Sequence, residues 1–272
     1  MFGLGLRHPH HEYVLKNNPS VDFFEVHTEN FIASGGASLD FLSKICKEYK
    51  VSFHCVGLSI GSYAGVDKKH LKDVKKLLDK FNPFLFSDHL SWSGSREIGH
   101  SNDLLPLPLT KEAFSVFKRN VDEIQQFCGR QILIENPSAY LEFENKELGE
   151  VEFLNKLVDE TKCGLLLDVN NIFVGAKNFD FDAEKYIDEI NFDAVSEIHL
   201  AGHSVYKFKD KEIRIDTHST NICDEVFDLY RYFLRQSGAN LPTMVEWDED
   251  IPEFEDLFAE LQKVKEVADG AF

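Results

Sequence analysis

Six side chains of the types that bind metal ions follow six apolar segments of this 272-residue chain. Each is a histidine or a carboxylate, and each stands at the carboxyl end of a run of residues typical of a buried strand. Nitrogen and oxygen donors without cysteine sulfur favour iron, manganese or exchangeable zinc over a structural zinc. The six residues are His54, His89, Glu135, Asp168, His199 and Glu246.

The spacing of these six residues indicates that they converge. Successive members are 35, 46, 33, 31 and 47 residues apart, and the two longer intervals contain irregular loops at 93–109 and 202–220. The three shorter intervals match one strand, one helix and two loops, and in an α/β barrel the carboxyl ends of the strands meet on one face. A lone histidine or glutamate at a strand end is usually an ordinary hydrogen-bonded residue. Six such residues at the ends of six predicted strands indicate one shared pocket.

The charges in that pocket favour a bound cation. Glu135, Asp168 and Glu246 would be buried together, and the strand ends carry no matching set of lysines or arginines. Buried carboxylates without compensating positive charge are strongly destabilising. We therefore expect polyvalent metal ions among these side chains.

A second group of candidate ligands lies in the loop after the seventh strand. Asp216 and His218 stand two residues apart, and side chains at i and i+2 of an extended segment point the same way. Taken alone, this pair would more often be a capping aspartate and a surface histidine. Asn171, three residues after Asp168, could complete a further site with them.

Nine candidate ligands exceed the coordination of one ion, so the sequence predicts two or three ions. Glu135 is expected to bridge the first two sites. The predicted sites are His54, His89 and Glu135; Glu135, Asp168, His199 and Glu246; and Asn171, Asp216 and His218.

Eight strand-like segments alternate with helical ones, the pattern of βα units around a parallel sheet. With about 34 residues per strand, we predict a single (β/α)8 TIM-barrel domain over residues 1–272. An open doubly wound sheet is the alternative, but the chain has neither a dinucleotide-binding glycine motif nor a P-loop. The predicted strands are 2–7, 22–28, 51–56, 84–90, 131–136, 163–169, 195–201 and 243–248, and the predicted helices are 39–49, 67–80, 110–128, 151–161, 182–190, 222–236 and 253–267.

Composition excludes several classes of function. A net charge of −18 is unfavourable for binding nucleic acid or an anionic membrane, and 43% hydrophobic residues exclude a disordered chain. Five cysteines without a C-x-x-C spacing argue against a disulfide framework and a thiolate zinc site. The first residues lack the pattern of a signal peptide. We therefore predict a cytoplasmic protein with reduced cysteines and no nucleic-acid or membrane partner.

The sequence resembles a known family over nearly its whole length. Nine blocks, in order, are similar to the signature segments of the multinuclear non-heme iron-dependent oxidative enzymes (MNIO), and the bufferin-type branch is the most similar. These blocks are EVHTENF (25–31), SFHCVGLSIGS (52–62), FSDHLSW (86–92), DLLPLP (103–108), LIENPSAYL (133–141), GLLLDVNNIFV (164–174), EIHLAGH (197–203), IDTHS (215–219) and VEWDEDIP (245–252).

The resemblance implies a TIM barrel of the xylose isomerase and endonuclease IV type, with metals at the strand ends. The order of the candidate ligands is similar to that of the three zinc sites of endonuclease IV. One position departs from it, because Asn171 stands where the endonuclease pattern has a histidine. A neutral amide is a weaker ligand, so the third ion should be held more loosely and zinc-dependent phosphodiester chemistry is disfavoured.

The resemblance also implies an activity, namely oxidation of cysteine in a ribosomally made precursor peptide, with products such as thiooxazoles or oxazolone–thioamide pairs. It implies two or three irons of mixed Fe(II)/Fe(III) state, dioxygen as co-substrate, zinc or manganese as replacement metals, and a small partner protein that binds the leader peptide. We assign catalytic roles to Glu135, Asp168 and His199. The candidate substrate contacts are Asn30, His203 and Trp92.

Two other classes of function remain open from the residues themselves. A divalent-metal sugar isomerase or a metal-dependent hydrolase could use the same barrel, but we would then expect a proton-transferring lysine at a strand end, where none stands. A metal-binding protein without catalysis would hardly need so many carboxylates. Redox-active iron distinguishes the first hypothesis from both others.

Overall fold

Eight parallel strands are hydrogen-bonded in a closed order in the computed structural model, which describes residues 1–32, 35–95, 99–209 and 211–272. This confirms the predicted (β/α)8 barrel. The strands of these described residues, in chain order, are β1 (Phe2–Gly5), β2 (Phe23–His27), β3 (Lys50–His54), β4 (Leu85–His89), β5 (Trp92–Ser95), β6 (Gly99–Leu105), β7 (Leu133–Glu135), β8 (Gly164–Asp168), β9 (Val195–Ala201), β10 (Ser204–Phe208), β11 (Lys211–Ile215) and β12 (Thr243–Glu246). The barrel order is β1-β12-β9-β8-β7-β4-β3-β2.

The helices follow the strands as the βα pattern requires. One of them, α3, shows why the sequence folds this way: its leucine and valine side chains are buried, and Asp67 caps its first turn by accepting hydrogen bonds from the backbone of Lys69 and His70. The helices are α1 (His11–Asn17), α2 (Ala37–Glu48), α3 (Lys68–Phe81), α4 (Lys111–Cys128), α5 (Glu150–Thr161), α6 (Val169–Phe179), α7 (Ala183–Glu189), α8 (Asp224–Ser237) and α9 (Phe254–Asp269).

Two hairpins occupy the segments that the sequence predicts to be irregular. Strands β5 and β6 pair and lie within 93–109 except for Trp92, and β10 and β11 pair within 202–220. The residues 96–98 and 210 of those segments lie outside the described residues. Both predictions of irregular loops were therefore wrong for most of their length. The first hairpin follows β4, which ends at the candidate ligand His89. The second follows β9, which contains the candidate ligand His199.

Two helices are absent from the prediction. Helix α6 begins directly at Asp168, whose Oδ1 accepts a hydrogen bond 2.7 Å long from the backbone N–H of Asn171. Three asparagines and a glycine make this segment a poor helix by intrinsic propensity. Burial of Ile172, Phe173 and Val174 supplies the stabilisation that propensity lacks. Helix α1 is short, with only Val14 buried.

The chain divides into two compact units. One comprises Met1–Glu25, Ser138–Tyr140 and Leu167–Phe272, and the other comprises Val26–Pro137 and Leu141–Leu166. Strands β1, β9 and β12 pair within the first, and β3, β4 and β7 pair within the second. The predicted single domain over 1–272 stays a prediction. Among the described residues, no helix has the length and apolar character needed to cross a bilayer.

Candidate metal centre

One cluster of candidate ligands forms at the ends of β3, β4 and β7. The Nε2 atoms of His54 and His89 lie 3.2 Å apart, and Glu135 Oε2 lies 3.4 Å from the first and 3.2 Å from the second. All three side chains are buried. Two ring nitrogens that both face one carboxylate oxygen in a buried space form a donor set suited to a transition metal.

Neighbouring side chains orient both imidazoles of this cluster. Ser87 Oγ lies 2.8 Å from His54 Nδ1, so a proton on that nitrogen leaves the Nε2 lone pair free. Asp88 Oδ1 accepts a hydrogen bond from the backbone N–H of His89 and lies 3.4 Å from its Nδ1, while Asp88 Oδ2 accepts from the backbone of Leu58. Burial raises the pKa of Asp88, against the lowering effect of its hydrogen bond with His89.

A second cluster forms around His199. Asp168, His199 and Glu246 offer ligand atoms within 4.8 Å of one another, and all three side chains are buried. His199 Nδ1 lies 3.2 Å from Glu246 Oε2. The turn from β8 into α6 fixes Asp168, because the same carboxylate caps the helix. The predicted bridging role of Glu135 stays a prediction.

Two carboxylates that the sequence analysis missed also lie beside His199. Glu25 Oε2 lies 3.0 Å from His199 Nε2, and Glu25, Glu197 and His199 form another group of potential ligands, each without solvent exposure. Burial lowers the pKa of His199, but Glu25 and Glu246 raise it well above its ordinary value. A signal was available in the sequence, since Glu25 and Glu197 each precede a histidine by two residues and share its strand face.

The predicted pair Asp216 and His218 does meet. His218 Nε2 lies 2.7 Å from Asp216 Oδ1, and His218 Nδ1 lies 3.2 Å from Asp248 Oδ2 and 3.4 Å from Glu246 Oε2. The two residues were expected to meet because an extended segment would point both side chains the same way. That reason was wrong, because His218 has φ 47° and the segment is not extended there. Burial lowers the pKa of His218, but Asp216 and Glu246 raise it well above its usual range.

The side chain of Asn170 contacts this pair. Its Nδ2 donates a hydrogen bond 2.6 Å long to Asp216 Oδ1, and its Oδ1 lies 2.9 Å from His203 Nδ1. Asn171, the predicted ligand, is buried one residue further along α6. Its role toward a third ion stays a prediction.

One arginine partly neutralises the second cluster. Arg7 is 7% exposed, and its Nη2 lies 3.2 Å from Glu246 Oε1 and 2.5 Å from Asp248 Oδ1. Glu246 therefore has a cationic partner that was not assigned to it from the sequence, although one arginine is not a set that matches all three carboxylates. Burial lowers the pKa of Arg7, but Asp248, Glu246 and Glu25 raise it, so the guanidinium stays charged. Among the described residues, the carboxylates with ligand atoms near His199 carry more charge than Arg7 neutralises; they are Glu25, Asp168, Glu197 and Glu246.

The predicted substrate contacts lie in different surroundings. His203 is partly exposed, packs its ring 5.3 Å from that of Phe173, and has a pKa lowered by burial and by Arg214. Trp92 donates a hydrogen bond to the carbonyl of Pro106 and lines an apolar cavity of about 470 Å³. Asn30 is exposed in a short 3₁₀ helix. Their roles toward a substrate stay predictions.

Substitution of Gly202 by alanine is expected to destabilise the protein by about 1–3 kcal/mol, the usual cost of overpacking. A Cβ at Gly202 would lie 2.0 Å from the carbonyl oxygen of Thr220, a backbone atom near the Asp216–His218 segment. Urea unfolding measures the loss, with Gly149→Ala as the control, since nothing lies within 4 Å of a Cβ there. Equal unfolding midpoints for the two variants would contradict the prediction.

Comparison with known proteins decides the family. Residues 1–269 match the model of the RiPP precursor modification enzymes MbnB/TglH/ChrH. The chain belongs to that family. As a RiPP precursor modification enzyme, it shares 45% identity over 261 residues with a UPF0276 protein of Psychromonas ingrahamii, covering 96% of this chain and 92% of that one. A UPF0276 protein of Vibrio parahaemolyticus is 44% identical over 264 residues, with 97% and 91% coverage.

Solved structures with low sequence identity share the fold of this RiPP modification enzyme. D-Psicose 3-epimerase of Clostridium cellulolyticum aligns with a TM-score of 0.58 and 11% identity, over 99% of this chain and 96% of that one. The IOLI protein with a bound zinc atom aligns with a TM-score of 0.58 and 14% identity, over 100% and 99%. The predicted family resemblance is thus confirmed, and the solved structures show the same barrel fold.

Proposed function

We propose that this enzyme uses two or three bound iron ions and dioxygen to oxidise cysteine in a ribosomally made precursor peptide. The observation that carries the proposal is the pair of buried clusters at the strand ends, in a chain whose family modifies such peptides. A small leader-binding protein would present the precursor, and the reaction would take place in the cytoplasm.

The residues fit iron by the chemistry of their donor atoms. Imidazole nitrogens and carboxylate oxygens without thiolate suit iron, and zinc or manganese could occupy the same donors. Within the described residues, the buried Glu25 Oε1 has no hydrogen-bond partner, which is consistent with a nearby cation. The residues that would hold the ions are His54, His89 and Glu135; Asp168, His199 and Glu246; and Asp216 and His218, with Asn171 as the remaining candidate.

Bound iron would supply a thiolate-binding Lewis acid and a site for dioxygen activation. The protein's own residues fix the geometry around it. Ser87 and Asp88 orient the two imidazoles of the first cluster, and Arg7 holds Glu246 through Oε1, so that Oε2 faces His199 and His218. His203, with its lowered pKa, would meet the peptide as a neutral imidazole anchored by Asn170.

The test is anaerobic purification, measurement of iron per chain with Mössbauer spectroscopy, and incubation with a cysteine-containing precursor peptide from the same gene neighbourhood. Addition of dioxygen should give a mass change at cysteine, and the zinc-substituted protein should give none. An iron-loaded enzyme that leaves the peptide unmodified would count against the proposal. A zinc form that epimerises a ketose would favour the sugar isomerase class instead.

A further inference from the structure

The hairpin 204–215 carries an exposed aromatic face next to candidate ligands. Register pairs Tyr206 with Ile213 and Phe208 with Lys211, so these four side chains share one face. Tyr206 is 55% exposed, Phe208 is 72% exposed and Ile213 is 38% exposed. Apolar side chains clustered in this way on a surface typically mark a binding site.

The outer edge of β11 contacts α6 at Arg214. Arg214 lies over the ring of Phe173, and its backbone N–H and carbonyl both hydrogen-bond to the side chain of Asn178. The outer edge of β11 is therefore occupied. Since Arg214 directs its backbone groups outward, its partner Val205 does the same on β10, and so does Lys207 two residues later.

The outer edge of β10 is open to pairing. Within the described part of the chain, the backbone groups of Val205 and Lys207 make no hydrogen bond outside the hairpin. An exposed edge of this kind accepts an added strand, whose alternate side chains then cover one face of the sheet. Tyr206 and Phe208 would receive those side chains.

The net charge of the hairpin indicates which charged residues an added strand should carry. Residues 204–215 include four lysines or arginines and two acidic residues, a net charge of +2 in a chain of −18. Lys207 pairs with Glu212 at 2.9 Å, whereas Lys209 and Lys211 lie at the exposed end of the hairpin. An acidic segment with aromatic or aliphatic side chains is complementary to this surface.

The two ends of the hairpin adjoin a candidate substrate contact, His203, and a candidate metal ligand, Asp216. Strand β10 begins directly after His203, and β11 runs directly into Asp216, whose backbone N–H donates a hydrogen bond to Tyr140 Oη. We infer that the outer edge of β10 binds an extended, acidic segment of the substrate peptide by strand addition and directs its chain toward the Asp216–His218 group. This inference rests on the proposed function, because it takes the substrate to be a precursor peptide.

Fluorescence anisotropy tests the surface with metal-loaded protein kept free of dioxygen. The probe is a short fluorescein-labelled peptide that alternates glutamate with valine and phenylalanine, and its control carries lysine in place of glutamate. Val205→Pro removes one backbone N–H at the outer edge of β10 and leaves the hydrogen bonds between β10 and β11 in place. It should weaken binding about fivefold, because one backbone hydrogen bond contributes about that factor. Val205→Ala keeps that N–H and should bind within about twofold of the wild type.

Charge reversal supplies an independent measurement. Lys209→Glu combined with Lys211→Glu should weaken binding of the glutamate peptide and flatten its dependence on salt. Equal affinities of wild-type and Val205→Pro protein, or preference for the lysine peptide, would overturn the inference. So would sedimentation showing a wild-type dimer that Val205→Pro converts to monomer, since a second copy would then occupy the edge.

The binding assay separates this inference from the proposed oxidation. Binding needs no turnover, so a failure to oxidise cysteine leaves the affinity difference in place. Conversely, if iron-loaded Val205→Pro oxidises a precursor peptide with the wild-type KM, the docking surface is wrong while the proposed function stands.

Discussion

Exchange of Glu135 for glutamine is expected to remove one iron ion per chain and to slow peptide oxidation at least about 100-fold, the upper range for residues that merely support a metal ligand. Glu135 Oε2 faces the Nε2 atoms of both His54 and His89. Glutamine keeps the size of the side chain but replaces an anionic oxygen by a neutral amide. The ion of the first cluster would then be held by two imidazoles without a carboxylate.

Two measurements distinguish a ligand from a structural ion pair at Glu135. Iron per chain and peptide mass are compared with those of Glu142→Gln, an exposed control position. Urea unfolding of the metal-free protein is measured alongside. If Glu135 is a ligand, the variant should lose iron while the free energy of unfolding of the metal-free protein changes little. A bound ion stabilises only the metal-loaded protein. Full iron content, or a large loss of metal-free stability, would show that Glu135 only pairs with the histidines.

The positions of the strands could be predicted from the sequence because burial on both faces leaves apolar runs. Leu165, Leu166 and Leu167 are all 1% exposed, and Asp168 ends that run. A change from apolar residues to a histidine or carboxylate therefore marks a strand end. The candidate ligands at those ends were found by the same signal.

Contacts between residues that are far apart in the sequence could not be predicted in this way. Arg7 reaches Glu246 over 239 positions, and Glu25 reaches His199 over 174. Arg7 ends the first predicted strand and Glu25 lies inside the second, but the residues around each give no sign of which distant side chain it contacts. The same limit explains why Arg7 was not assigned to Glu246 from the sequence.

The hairpins illustrate a different limit. Residues 204–215 alternate aromatic or aliphatic side chains with lysine, arginine and glutamate, which is the period of a strand. That alternation was obscured by the expectation of one helix after each barrel strand. The structure shows that the loop after β9 instead forms a separate two-stranded sheet.

Removal of the Glu25 carboxylate is expected to weaken binding of the ion at His199 about 10- to 100-fold, the usual effect of losing the partner of a ligating histidine. Glu25 Oε2 lies 3.0 Å from Nε2 of His199, while Nδ1 faces Glu246. Glu25 therefore keeps the proton on Nε2 and the lone pair on Nδ1, toward the ion. Both side chains are fully buried, so Glu25 orients the imidazole away from bulk water.

The variants Glu25→Ala and Glu25→Gln separate orientation from charge. Glutamine retains an oxygen that accepts from Nε2 but carries no charge, so its metal affinity should lie between those of the wild type and the alanine variant. Competition against a chelator measures the affinities, and urea unfolding of the metal-free protein provides the control for a purely structural effect. Glu25, Glu197 and His199 are themselves close enough to share an ion. If Glu25→Ala lowers the number of ions per chain and leaves the affinity of the remainder unchanged, Glu25 is a ligand and the orienting role is wrong.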